Sequence, residues 1–111
     1  MYDETDRQST DPWTYIDPYD VSPDHYKVLF SNEHLRVVAM TLAAGAKDNE
    51  HSHPNETVYF LKGGKVRIYV GDDTVEADIP DGHVMYHEAW THVVENIGET
   101  DIHAIIFEPH A

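Results

Sequence analysis

From residue 25 onward the chain reads as short runs in which Val, Ile, Leu, Tyr and Phe alternate with polar residues, each run closed by a turn-forming group. Alternation with a period of two is the mark of a half-buried strand. On that pattern strands are predicted over 26–30, 35–42, 56–61, 66–70, 75–79, 83–87, 91–96 and 102–107. Between them fall Ser31-Asn32, Gly45, Gly63-Gly64, Gly71-Asp72-Asp73, Pro80-Asp81-Gly82 and Asn96-Ile97-Gly98. Gly63-Gly64 and Asp72-Asp73 read as hairpin turns, which suits antiparallel pairing. No stretch has a sustained helical period. Short strands at this spacing point to an all-β sandwich or barrel rather than to alternating strand and helix units.

The alternation also assigns faces. Along 56–61, Glu56, Val58 and Phe60 share one side and Thr57, Tyr59 and Leu61 the other. Along 91–96, His92, Val94 and Asn96 share a side. If Glu56 and His92 face the interior, Val58, Phe60 and Val94 are cavity wall, and Asn96 is a wall or supporting residue able to orient a ligand or bound water.

Residues 1–24 break the pattern: seven acidic residues, three prolines and one arginine occur with no hydrophobic period. Trp13, Tyr15, Ile16 and Tyr19 interrupt that polarity, and plainly disordered segments are poor in aromatics. The expectation is an arm whose first ten residues are mobile and whose 13–19 stretch docks on its own barrel or on a neighbouring subunit. The remainder, 25–111, is expected to be one barrel, since 111 residues suffice for a single core.

Charge narrows the partners. Twenty-one acidic residues against seven basic leave a formal charge of −14. Such a surface is a poor match for nucleic acid, whose phosphates need Lys and Arg, and for an anionic membrane. It serves solubility, and with only four lysines it also suits a salt-adapted proteome. The chain has no cysteine, which removes disulfides, thiolate metal ligands and thiol nucleophiles. No apolar run approaches the roughly 18 residues of a membrane span. The N-terminus lacks the basic and apolar regions of a signal peptide, so a soluble cytoplasmic protein is expected.

The chemistry lies in two clusters. On an extended strand His51 and His53 present two imidazoles to one face. A third imidazole from a distant strand would complete a facial three-nitrogen site for a divalent metal. Nine histidines in the chain make one such spacing weak by itself, so the flanking positions matter. Gly45 precedes His51 by five intervening residues; Glu56 follows His53 after Pro54 and Asn55; six residues then lead to Gly63. Downstream, His92 and Asn96 are separated by three residues.

Over residues 25–108 these motifs resemble those of the small single-domain cupins. His51-Ser52-His53-Pro54, the Tyr59 to Gly64 segment and Val94-Glu95-Asn96-Ile97-Gly98 match their His-x-His-Pro, Tyr-x-Leu-x-Gly-Gly and Val-Glu-Asn-x-Gly patterns. Two features depart: the gap between His53 and Glu56 holds two residues where three or four are usual, and the second motif lacks its Pro-x-Gly start. The resemblance implies an antiparallel double-stranded β-helix, or jelly-roll barrel. It implies a metal held by His51, His53 and His92, with Glu56 as a fourth ligand. Neutral imidazoles suit Fe(II), Zn(II), Ni(II), Cu(II) and Co(II), while a carboxylate shifts preference toward Mn(II) and Fe(II), so Fe(II) is favoured. His87, one strand-turn before His92, and Tyr59 are the candidates for a catalytic role.

Cupins include dioxygenases, lyases, isomerases and plain binding modules. The expected function is therefore a mononuclear metal-dependent enzyme, oxygenase-like, acting on a small oxygenated substrate. The alternatives are a non-redox metal lyase or isomerase and a small-molecule-binding module without turnover. A homodimer is expected from the resemblance. No Lys or Arg falls among the predicted cavity positions, so an anionic substrate would depend on the metal for its countercharge.

Overall fold

The computed structural model describes residues 15–110, and among these the alternating pattern folds into nine antiparallel strands in two sheets, preceded by one helical turn. Helix α1 is Pro18–Val21, capped by the Asp17 side chain. The strands are β1 (Tyr26–Ser31), β2 (Leu35–Leu42), β3 (His51–His53), β4 (Glu56–Lys62), β5 (Gly64–Val70), β6 (Asp73–Ile79), β7 (Val84–His87), β8 (Trp90–Asn96) and β9 (Ile102–Pro109). One sheet has the order β1-β2-β9-β4-β7 and the other β3-β8-β5-β6. The core lies between them, where Val38, Leu42, Val58, Phe60, Val66, Ile102, Ala104 and Ile106 are buried. The jelly-roll expectation holds in its class, its pairing direction and most of its strand boundaries.

Two local expectations are corrected. Val70 and Asp73 close a tight β5–β6 hairpin around Gly71, which takes a φ of +58°. Gly63-Gly64, by contrast, makes no hairpin: β4 lies in the first sheet and β5 in the second. The crossing passes against the end of β6, where a Cβ on residue 63 would stand 1.8 Å from the Ile79 carbonyl oxygen, so the position requires glycine. Second, His51–His53 is a strand of its own. It ends at Pro54-Asn55, and β4 starts afresh at Glu56 in the other sheet.

The two inward rows read from the alternation are found. Glu56, Val58 and Phe60 on β4, and His92, Val94 and Asn96 on β8, are buried. Strand β9 adds a third row, Ile102, Ala104, Ile106 and Glu108, which ends in a buried carboxylate. Among the described residues no helix is long and apolar enough to cross a membrane. The first ten residues and Trp13 lie outside the described residues. The arm from Tyr15 onward docks on its own barrel, where Arg36 Nη1 donates to Asp17 Oδ2 at 2.8 Å.

Candidate metal centre

Strand β3 pairs with β8 in a register that sets His51 opposite His92 and His53 opposite Trp90. Because i and i+2 share a face, both β3 imidazoles turn inward and meet His92 there. Ring centroids are 4.9 Å apart for His51 and His53, 4.7 Å for His51 and His92, and 5.4 Å for His53 and His92. One nitrogen from each ring falls within 4.8 Å of the other two, so the three buried histidines form a group that could hold a metal ion.

The hydrogen bonds decide which nitrogens are available. The Nδ1–H of His53 donates to Glu108 Oε2 at 2.6 Å, leaving Nε2 with its lone pair. The Nδ1–H of His51 donates to the Asn49 carbonyl at 2.8 Å, again leaving Nε2. That Nε2 lies 3.2 Å from the Tyr26 hydroxyl, which donates to Asp48 Oδ2 at 2.7 Å. His92 differs: both its ring nitrogens are buried with no hydrogen-bond partner. An unsatisfied buried polar atom costs about 1–3 kcal/mol, so such a ring calls for a partner that the protein itself does not supply. A metal ion accepting its lone pair fits that requirement, and the donor set of three neutral imidazoles fits a divalent transition metal.

The electrostatics favour the neutral form of His51 and His92, the form a metal needs. Burial, with His53 beside it, lowers the His51 pKa to about 4. Burial, with His51 and His53 next in weight, lowers His92 to about 2. The acids move the other way: burial raises Asp48 to about 6 and raises the Glu56 carboxyl above its usual range.

The remaining predicted site residues separate. Glu56 faces the cavity beside His53 but stands apart from the histidine group. Its Oε2 accepts the Trp90 indole N–H at 2.5 Å, and its Oε1 lies 3.7 Å from His53 Nδ1. The two-residue gap is the reason, since β4 begins in the opposite sheet. Val58, Phe60 and Val94 line a cavity of about 50 Å³ next to His53 and His92, and Trp90 walls it on the β8 side. Asn96 is buried elsewhere in its row. Its Nδ2 donates to the Leu42 and Thr100 carbonyls, and its Oδ1 accepts from Gly98 N–H, so it pins the turn after β8 and has no free group for a ligand. Tyr59 sits on the outer face of β4 and is exposed, away from the cavity. His87 stacks on Trp90 at 3.5 Å, which places the indole between it and His92.

Sequence reasoning passed over Glu108, Asp48 and Tyr26, and left open whether Arg36 and Arg67 point into the cavity. Only Glu108 left a trace, as a carboxylate at the next inward position after Ile102, Ala104 and Ile106. Arg36 packs outside the cavity on Glu108 and Asp17, and Arg67 pairs with Glu76 on the surface. No Lys or Arg lines the cavity among the described residues.

The fold is the double-stranded β-helix seen in small single-domain cupins. A cupin domain from Bordetella pertussis Tohama I superposes with a TM-score of 0.72 at 20% identity, covering 78% of this chain and 92% of that one. An RmlC-like cupin with a double-stranded β-helix fold from Methanocaldococcus jannaschii gives 0.62 at 15% identity, over 76% of this chain and 77% of that one. A predicted oxalate decarboxylase from Thermotoga maritima gives 0.55 at 22% identity, over 77% and 79%. At these identities the likeness is one of fold. No protein-family model and no curated protein matches the chain.

Proposed function

We propose that the protein is a mononuclear metal-dependent cupin enzyme, oxygenase-like, acting on a small oxygenated substrate. The observation that carries the metal is His92, whose two buried nitrogens lack partners inside a cluster of three buried imidazoles. His51, His53 and His92 would hold a divalent ion, with Fe(II) favoured and Mn, Ni, Zn, Co or Cu the alternatives. When bound, the ion supplies open coordination positions and Lewis acidity. The protein's own part is orientation and dryness. Val58, Phe60 and Val94 exclude water, and Glu56, held by Trp90, offers the one carboxyl group in the cavity wall.

The substrate class follows from the cavity. At about 50 Å³ it admits a few atoms' worth of ligand, since a water needs roughly 10–15 Å³ on the same measure. With no cation in its wall, a substrate's anionic oxygens would face the metal and its carbon body the apolar side chains. A second reading, a non-redox lyase or decarboxylase, is supported by Glu56. Burial shifts its carboxyl toward the protonated form at the cavity wall beside His53. The Thermotoga maritima neighbour described as a predicted oxalate decarboxylase agrees with that reading. Oxygen consumption on mixing Fe(II)-loaded protein with small diones and hydroxy-ketones is the expected result of the first reading. Turnover under anaerobic conditions with Mn(II) or Zn(II) would transfer the proposal to the second.

The proposal includes a homodimer. On the outer face of the five-stranded sheet, Phe30, Val37, Phe107, Thr57 and Tyr86 follow one another across the strands without a charge. Ala39, Ile105, Tyr59 and Val84 form the next row. Lys27 on β1 continues the second row beyond Ala39, and neither row holds an acidic side chain; on a chain of charge −14, a face without acids is where a second copy meets least repulsion. Sedimentation should show a dimer for the parent and a monomer for Tyr86→Glu; a monomeric parent would reject it.

A further inference from the structure

Two of the three imidazoles ride on β3, a strand of three residues at the edge of its sheet, with β8 as its one partner in that sheet. So short an edge strand has little of its own to fix it. The N-terminal arm covers its open side. Ser52 N–H, between the two ligands, donates to the Ile16 carbonyl at 2.6 Å, and Ile16 N–H donates back to Ser52 Oγ at 3.0 Å.

Two relays then run from the arm to the ring nitrogens that face away from the ligand group. In the first, Asp17 takes both terminal nitrogens of Arg36, at 2.8 and 3.2 Å. This leaves Arg36 Nε to donate to Glu108 Oε1 at 3.0 Å, while Glu108 Oε2 accepts the His53 Nδ1–H. In the second, the end of helix α1 holds Asn49. The Val21 carbonyl accepts from Asn49 Nδ2 at 2.6 Å, Ser22 Oγ accepts from Asn49 N–H at 2.9 Å, and the Asn49 carbonyl accepts the His51 Nδ1–H.

We infer that residues 16–22 are part of the metal centre: through Arg36–Glu108 and through Asn49 they set the tautomer and ring direction of His53 and His51, so that metal affinity depends on arm docking. This rests on the three-histidine reading of the site. Groups that orient a ligating histidine govern affinity as well as geometry. The direction of the effect follows from the Arg36 fork. Without the Asp17 charge, its two terminal nitrogens become available to Glu108, which favours a bidentate grip and draws Oε2 away from His53.

The test uses Co(II) as probe, measuring the dissociation constant by chelator competition, the visible ligand-field spectrum of the bound ion, and the melting temperature of the metal-free protein. Asp17→Asn keeps the helix cap and the side-chain shape but removes the charge. Asn49→Ala removes the side-chain bond to the Val21 carbonyl while keeping the backbone bond to Ser22 and the carbonyl that holds His51. Each variant is expected to weaken Co(II) binding by about tenfold, at the low end of what supporting residues typically contribute, and to shift the spectrum. A lower melting temperature with unchanged affinity and spectrum would show the arm to be structural only and overturn the inference. So would wild-type behaviour in both variants, and the metal reading would then survive. A parent that takes up no Co(II) would remove the metal reading and this inference together.

Discussion

Replacing His92 with leucine is expected to abolish stoichiometric metal binding while leaving the metal-free protein at least as stable as the parent. The two effects have opposite signs because they act on different states. In the loaded protein the imidazole is one of three nitrogen donors. Structural zinc sites of four ligands bind with about 10–16 kcal/mol, so one donor is worth about 3–4 kcal/mol, or two to three decades in affinity. In the metal-free protein the same ring buries two polar atoms without partners. An apolar side chain of similar size lifts a cost of about 1–3 kcal/mol there and keeps the packing against Trp90 and His51. Elemental analysis and urea unfolding of chelator-treated protein measure the two quantities. A leucine variant that retains its metal would refute the three-histidine site. One that binds no metal but unfolds much more readily would show that His92 has a structural partner.

The second large effect is expected from acid. Metal-free protein should lose stability as pH falls below about 6.5, the value for a histidine in an unfolded chain. The folded values lie lower, at about 4 for His51 and about 2 for His92. Between the folded and unfolded values the unfolded chain binds more protons, so stability rises with pH and is lost on acidification, at about 1.4 kcal/mol per pH unit for each ring. Asp48 acts in the opposite sense. Its folded value of about 6 lies above the unfolded one, so from pH 6 down to about 4 it takes up a proton in the fold and offsets one histidine. Glu56, also raised, works in the same direction as Asp48. The acids therefore temper the loss below about pH 6, and the net loss by pH 4 is on the order of 2–4 kcal/mol. Urea midpoints across pH 4–8 measure it. His92→Leu should flatten the profile, and an unchanged profile would mean that His92 is not the buried neutral ring described.

How the arm reaches the site connects both results. His53 lies fifty-five residues from Glu108, yet the two share a 2.6 Å hydrogen bond. Arg36 ties that carboxylate to Asp17, and the same arm supports Asn49 under His51. The acidic, aromatic segment ahead of the barrel is thus joined to the histidines it precedes, and its Asp17 has a specific partner.

The period-two pattern by itself determined the fold class and the inward rows of β4 and β8, because alternation decides which face of a strand is buried. The pair His51 and His53 was legible for the same reason, and with it the expectation of a metal. Alternation says nothing about which strand lies opposite. Only the tertiary structure decided that Gly63-Gly64 is a crossing between sheets, where the Ile79 carbonyl of β6 leaves no room for a side chain at residue 63. It also decided that Glu56 is engaged by the Trp90 indole, with its other oxygen 3.7 Å from His53 Nδ1, because two residues after His53 the chain restarts in the other sheet. Asn96 occupies the face the pattern assigned, but its amide is taken by carbonyls of Leu42 and Thr100, partners that no local spacing predicts. The support under the ligands, from Glu108, Arg36, Asp17 and Asn49, is hydrogen bonding between segments brought together by folding. Its physical basis is the demand of each buried polar group for a partner, which the chain meets at whatever sequence distance the fold supplies one.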